Sequence, residues 1–272
     1  MRMLVVTAPA AEAELAADEL WRRGVAAVEE RPVAGDGVDA RVELRTTVGD
    51  DEPEPDGLRW PWRFEDVDPE PATTWRDHAQ PVTVADSVMT IPAWIEAAVP
   101  DGVTGVRIEP GAAFGLGDHP TTQLSLRLLV PEIDVRPGGR VLDVGCGSGV
   151  LGIVAARRGA GTVRALDVST AAVEATRDNA ARNGVGGVVV ADAAPLGAVD
   201  GVWDIVVANI LAPTLVGLAP DLRRVTAPGG VVIVSGVLAR RHDHVLEAMS
   251  PFVVRAAAEL DGWAAVALSP PD

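Results

Sequence analysis

The stretch VLDVGCGSG at 141–149 constrains the fold of this 272-residue chain more than any other. An apolar run with one carboxylate leads into three glycines at alternate positions, and the apolar, Ala-rich VLGIVAARR follows. A run of this kind is a strand buried on both faces, as in the middle of a parallel sheet. Gly145, Gly147 and Gly149 then permit a tight turn and close backbone approach to a ligand. The helix that follows offers free N–H groups at its N-terminus, which favour negative charge. A buried strand that turns at once into a helix is the opening unit of a doubly wound α/β layer.

The downstream chain repeats that unit. VRALDV is a second strand, followed by a helix capped by Ser169 or Thr170 and ended by Gly184. VVVADA, WDIVVAN and GVVIVSG supply three more strands, and VVRAAAEL and WAAVALS two terminal ones. The fold class is therefore α/β, doubly wound, with a mostly parallel seven-stranded sheet. Helices are expected near 121–130, at 150–158 and over HDHVLEAMS. Leu211, Leu215, Leu218 and Leu222 lie at helical spacing, with Pro220 dividing them between two short helices.

Upstream lies a small α+β domain. RMLVVT reads as a strand, Pro9 opens an acidic helix closed by Gly24, and Val25–Glu30 and Val38–Thr47 read as two more strands. This is the first part of a ferredoxin-like layout. The place of its second helix is taken by GDDEPEPDG at 49–57, which is acidic, Pro-rich and helix-averse. Arg59–Val67 supplies a last edge strand, so the domain looks trimmed. The expected division is a small domain at 1–71, a linker at 72–91 and a catalytic domain at 92–272. Within and beside the linker, 82–84 and 88–91 are expected to form a hairpin and Pro92 to start a helix. Trp60, Trp62, Trp75 and Trp94 read as packing the small domain or linker against the large one.

Composition narrows the function. The formal charge is −16, with 39 acidic residues against 23 basic ones, and every basic one is arginine. Such a field repels bare phosphate backbones and attracts basic partners, which disfavours a nucleic acid substrate. The single cysteine, Cys146, excludes an intramolecular disulfide and suits a reducing compartment. No leader pattern and no transmembrane run is evident, so a cytoplasmic location is expected, with no membrane partner. The four histidines and one cysteine form no metal-ligand pattern.

Three acids around the glycine turn decide between cofactors. Asp167 ends the second strand, where a carboxylate accepts hydrogen bonds from both ribose hydroxyls of an adenosine cofactor. Asp192 ends the third strand, where it or the neighbouring backbone meets an adenine amino group. Gly147, Gly149 and Gly152 also satisfy the weak dinucleotide pattern G-x-G-x-x-G. Asp143, however, lies where a pyrophosphate would sit and would repel it. The same carboxylate would welcome the ammonium of a methionine moiety, directly or through water, so S-adenosylmethionine is favoured over NAD. An oxidoreductase on the same fold, or a cofactor-binding protein without catalysis, stays open on these residues alone.

Residues 92–238 resemble the ribosomal protein L11 methyltransferase family, called PrmA in bacteria. The matching stretches are PGAAFGLGDHPTT at 110–122, VLDVGCGSG at 141–149, ANILAP at 208–213 and SGVL at 235–238. The resemblance implies transfer of methyl groups from S-adenosylmethionine to amino groups, on lysine or an N-terminus, of a large-subunit ribosomal protein. That basic partner would be held by the small domain. Another protein lysine or a small-molecule acceptor is the alternative. Carried over by motif, Phe114 and Gly115 belong to the family's loop beside the cofactor, His119, Thr121 and Thr122 line the methionine side of the pocket, and Asp167 is the ribose acid; Asp143, Gly145, Gly147, Gly149 and Asp192 complete the expected cofactor-binding set. Asn209 faces the transferable methyl, and its Oδ1 with the Ile210 carbonyl would aim the amine. Leu116 and Asp118 stand where the family usually has Thr and either Thr or His.

Overall fold

The computed structural model describes residues 2–23, 25, 28–33, 40–48, 53–66, 76, 79–111, 113–240 and 242–271. They form two compact units, Met1–Ala79 and Gln80–Asp272. The boundary falls inside the stretch read as linker, because 80–91 belong to the second unit.

In the first unit, β1 (Arg2–Pro9), β2 (Glu29–Val33), β3 (Arg41–Val48) and β4 (Trp62–Asp66) make an antiparallel sheet in the order β2-β3-β1-β4. The helix α1 (Ala13–Arg22) follows one 3-10 turn after β1. The second strand sits later than its apolar start suggested, at 29–33, and residues 26–27 lie outside the described set. Leu4, Val6 and Ala8 of β1 pack with Ala13, Ala16 and Leu20 of α1 and with Val42, Leu44 and Trp60. Residues 53–57 form coil and a turn, and 49–52 lie outside the described residues. Trp62 and Phe64 pair with Val6 and Leu4 across the ladder and so share the face that α1 covers. Their rings meet edge to face at 5.4 Å. The described tryptophans at 60 and 62 thus pack within their own unit, whereas they were expected at a junction; Trp75 lies outside the described residues.

The second unit opens with β5 (Val82–Val84), β6 (Val88–Pro92) and β7 (Thr104–Ile108), in the order β5-β6-β7. The hairpin β5–β6 forms as its turn residues indicate, but Pro92 ends β6 and a turn follows where a helix was expected. The main sheet then runs through β8 (Arg140–Val144), β9 (Thr162–Leu166), β10 (Val189–Asp192), β11 (Trp203–Asn209), β12 (Thr226–Leu238), β13 (Val253–Leu260) and β14 (Trp263–Ser269). Its order is β10-β9-β8-β11-β12-β14-β13. The first five strands of that order are parallel, while β14 runs antiparallel between β12 and β13. A dinucleotide-binding sheet continues with a sixth parallel strand instead.

The helices are α2 (Pro120–Asp134), α3 (Val150–Arg157), α4 (Thr170–Arg182), α5 (Ala212–Val225) and α6 (Asp243–Ala248). Pro220 does not divide α5. The carbonyl its ring frees belongs to Val216, and both residues are exposed, so water can replace the lost N–H. Pro131 sits in α2 in the same way, four residues after exposed Arg127. Val206, Ala208, Val232, Val234, Val266 and Leu268 face α5 and α6 in one core.

Candidate functional site

Chain order reverses between β8 and β11, which are neighbours in the sheet while β9 lies on the other side of β8. In open α/β sheets a ligand crevice forms at the carboxyl ends of the strands at such a point. Gly145 follows β8, Asp167 follows β9, and Asn209 ends β11, so the sequence-predicted residues converge at this one edge.

The glycines of the turn serve the protein's own packing. All three have positive φ, at 72°, 54° and 81° for Gly145, Gly147 and Gly149. A Cβ on Gly147 would lie 2.5 Å from the Phe114 carbonyl oxygen, and one on Gly145 would lie 2.3 Å from the Ile210 side chain. The turn is thus pressed between the 110–119 loop on one side and the end of β11 on the other. Ser148 fastens the loop: its N–H donates to the Phe114 carbonyl at 2.9 Å and its hydroxyl to that of Gly115. Gly152, one turn into α3, is bare because Val163 and Asp143 occupy the space its side chain would need.

Among the described residues, Asp143 is engaged on one oxygen only. It is wholly buried, and its Oδ2 accepts the Gly152 N–H at 3.0 Å, satisfying a donor in the first turn of α3. Burial, with a smaller contribution from Asp167, pushes its carboxyl up to about 7. Its Oδ1 is buried without a partner among the described residues, an acceptor lying directly behind the turn. Of the direct and water-mediated contacts expected with a cofactor ammonium, this burial favours the second. The unmet acceptor fits the methionine end of S-adenosylmethionine.

Asp167, expected to meet the ribose, is held by the backbone on both oxygens. Its Oδ2 accepts from Gly147 N–H at 3.0 Å and its Oδ1 from Ser169 N–H at 2.9 Å. Two backbone donors fix the carboxylate and leave lone pairs over for hydroxyl donors. The Asp192 carboxylate is turned elsewhere. It takes two bonds from Arg164, at 2.9 and 3.2 Å, and one from Ala194 N–H, and the Arg164 guanidinium holds it below its ordinary range.

His119 caps α2. Its Nδ1 faces the Thr121 N–H at 3.3 Å and the Thr121 hydroxyl at 2.8 Å. Since the N–H can only donate, Nδ1 is an acceptor here and the ring proton sits on Nε2. Burial lowers the pKa against a smaller opposing effect of Asp118, so the ring is uncharged at neutral pH. With its free lone pair engaged in the cap, it is a poor general base. Thr121 and Thr122 are both buried, and Thr122 Oγ1 has no hydrogen-bond partner among the described residues.

On the acceptor side, Asn209 pairs with Ser235 in the β11–β12 ladder, and the Ser235 hydroxyl donates to the Thr121 carbonyl at 3.2 Å. The start of α2 and the end of β11 are thereby joined. Gly236, with φ 85°, leaves room for the Ile210 carbonyl, which a Cβ would approach to 2.4 Å. No sequence motif pointed to Trp263. Its ring lies 5.4 Å from that of His119, which in turn lies 5.2 Å from Phe114. Because β14 runs antiparallel, its first residue meets Leu238 at the far end of β12, on the site's own edge. Only the strand's direction, which no local pattern encodes, brings this residue into place.

Comparisons with known proteins identify the family. The family model "Ribosomal protein L11 methyltransferase (PrmA)" matches residues 60–270. The ribosomal protein L11 methyltransferase of Symbiobacterium thermophilum is 41% identical over 239 residues, covering 86% of this chain and 77% of that protein. That of Pelotomaculum thermopropionicum is 45% identical over 168 residues, covering 61% and 54%. The solved structure of the ribosomal protein L11 methylase from Lactobacillus delbrueckii subsp. bulgaricus superposes with a TM-score of 0.65 at 33% identity, over 70% of this chain and 98% of that one. On a family match that spans well over half its length, the chain belongs to the ribosomal protein L11 methyltransferase family, and S-adenosylmethionine is its methyl donor.

Proposed function

We propose that the enzyme methylates amino groups, on lysine or at an N-terminus, of a basic large-subunit ribosomal protein of the L11 class. The observation that carries this reading is the convergence of Asn209 and Ile210 with the glycine turn and the 110–119 loop, in a chain of this family. When bound, the cofactor supplies a methyl group made electrophilic by its sulfonium. The protein's task is to present a neutral amine in line and keep water out. Asn209 Oδ1 and the Ile210 carbonyl accept hydrogen bonds from the amine and hold its lone pair toward the methyl. Neither is a strong base, and His119 is committed to its cap, so the amine loses its proton to water before transfer. The chain's charge of −16 favours encounter with a basic acceptor.

The test is to incubate the enzyme and labelled S-adenosylmethionine with lysate from its own source and with the purified ribosomal protein. Labelled amines are then located by mass spectrometry. Label on that protein, lost with Asn209→Ala, is the expected result. Label confined to RNA or to a small metabolite would overturn the acceptor while leaving the methyl donor intact.

A further inference from the structure

The free edge of β7 is completed by side chains in place of another strand. Asn183 accepts the Arg107 N–H on Oδ1 at 2.8 Å and donates from Nδ2 to the Arg107 carbonyl at 2.8 Å. One helical turn earlier, Asn179 repeats the pattern on Glu109, accepting its N–H and donating to its carbonyl, both at 2.9 Å. Four residues of helix rise about 6 Å, and two residues of extended chain advance about 6.6 Å. The two amides therefore keep step with alternate peptide groups of the strand, as a neighbouring strand would.

The chain that leaves this edge is the 110–119 loop. Asn179 Nδ2 also donates to the Ser148 carbonyl at 2.9 Å, and Ser148 holds the loop again at Phe114 and Gly115. One buried amide thus ties the root of the loop to the glycine turn, and the turn ties down its middle. The pair is also joined internally, since Asn183 Nδ2 donates to the Asn179 carbonyl at 2.8 Å.

We propose that Asn179 and Asn183 are positioning residues for the cofactor: they fix the backbone at 107–109 and so set the 110–119 loop over the glycine turn. This rests on the reading of that turn as the cofactor site. A purely structural role would lower the stability of the whole unit without changing the affinity of the folded protein.

The experiment uses the full chain, with S-adenosylhomocysteine as the probe. Asn183→Ala is the milder variant, because Asn183 is half-buried at the end of α4, and Asn179→Asp is the harsher one. Calorimetric titration should show the dissociation constant of Asn183→Ala raised about tenfold, the size expected for one lost hydrogen-bonding group. Hydrogen exchange without ligand should quicken at the amides of 113–119 while those of β8 and β9 keep their protection. Should Asn179→Asp fail to fold, Asn183→Ala decides alone. A folded Asn183→Ala with wild-type affinity and wild-type exchange at 113–119 overturns the proposal. Failure of the wild type itself to bind the probe would instead overturn the reading of the site.

Discussion

The two largest sheets of this chain solve the same problem in opposite ways. The large sheet is apolar on both faces: Val141, Leu142, Ile205, Val206, Val207, Val232 and Ile233 are all essentially inaccessible to water. Successive residues along these strands point to opposite faces, so each face has been given a helical layer. The small sheet has one helix, α1, among the described residues, and its two faces differ in chemistry. On the α1 face, Trp60, Trp62 and Phe64 lie with the aliphatic core. On the other, Val5 pairs with Arg45 and with Arg63, and these arginines bond Glu43 and Glu65 in a shared lattice. A thick aliphatic layer tolerates much local change, whereas a thin unit depends on a few large side chains.

If that contrast is right, Trp60→Ala should have the largest effect on stability. Trp60 is buried, and its Nε1 donates to Glu12 at 2.8 Å, so truncation loses both packing and a hydrogen bond. The expected cost is about 3 kcal/mol, confined to the first unit. In calorimetry, part of the heat absorption should move to lower temperature while S-adenosylhomocysteine affinity stays at the wild-type level. Loss of that affinity alongside would break the comparison.

Within the large unit the contrast becomes one between the groups proposed to hold the cofactor and those proposed to meet the acceptor. Asn209→Ala should slow single-turnover methyl transfer by roughly a hundredfold, since small errors of position at the reacting centre are costly, and leave cofactor affinity unchanged. Asp167→Ala should do the reverse, raising the dissociation constant of S-adenosylhomocysteine. Its loss also releases the N–H groups of Gly147 and Ser169. Equal effects of both variants on affinity would remove the distinction.

How much of this was legible in the sequence follows the same divide. The strands of the large sheet could be read because burial on both faces leaves continuous apolar runs bounded by Asp or Gly. The convergence of Gly145, Asp167 and Asn209 followed from the alternation of strand and helix. In the small unit the second strand, EERPV, is exposed along most of its length, so hydrophobicity pointed to the wrong register. Proline misled twice: Pro92 closes β6 where a helix was expected to start, and Pro220 sits inside α5, where Val216, whose carbonyl it frees, is exposed. The partners of Asp143 and Asp192 could not be read locally. One is the Gly152 N–H nine residues on, the other Arg164 on the adjacent strand.

Asp143 provides a test of the large unit's dryness. Its carboxyl is raised by burial from 3.8 to about 7, so between those values the native chain keeps a proton that the unfolded chain has lost. Stability from this group is full below the unfolded value and is lost as pH rises through the folded one. Asp143→Asn can still accept the Gly152 N–H but carries no such titration. Without cofactor, the variant should therefore gain on the wild type as pH goes from 5 to 8 in denaturant titrations. Parallel curves would mean that the carboxylate is solvated after all.

The smallest effect is expected on the far face of the small sheet. Arg63 is 46% exposed and shares Glu43 and Glu65 with Arg45, which is 16% exposed. Removing Arg63 leaves Arg45 between the two carboxylates, so no carboxylate is stranded. An exposed pair of this kind contributes below about 1 kcal/mol and fades with salt. The longer-lasting contribution is the aliphatic stem, which lies beside a Val5 that is fully shielded from water. Arg63→Met keeps a stem of similar length and should match the wild type in 0.5 M salt, taken as about the regime where the Debye length falls to a few ångströms. Arg63→Ala should remain slightly less stable at every salt concentration. If Met were as damaging as Ala, and salt rescued both, charge rather than the stem would be what closes that face.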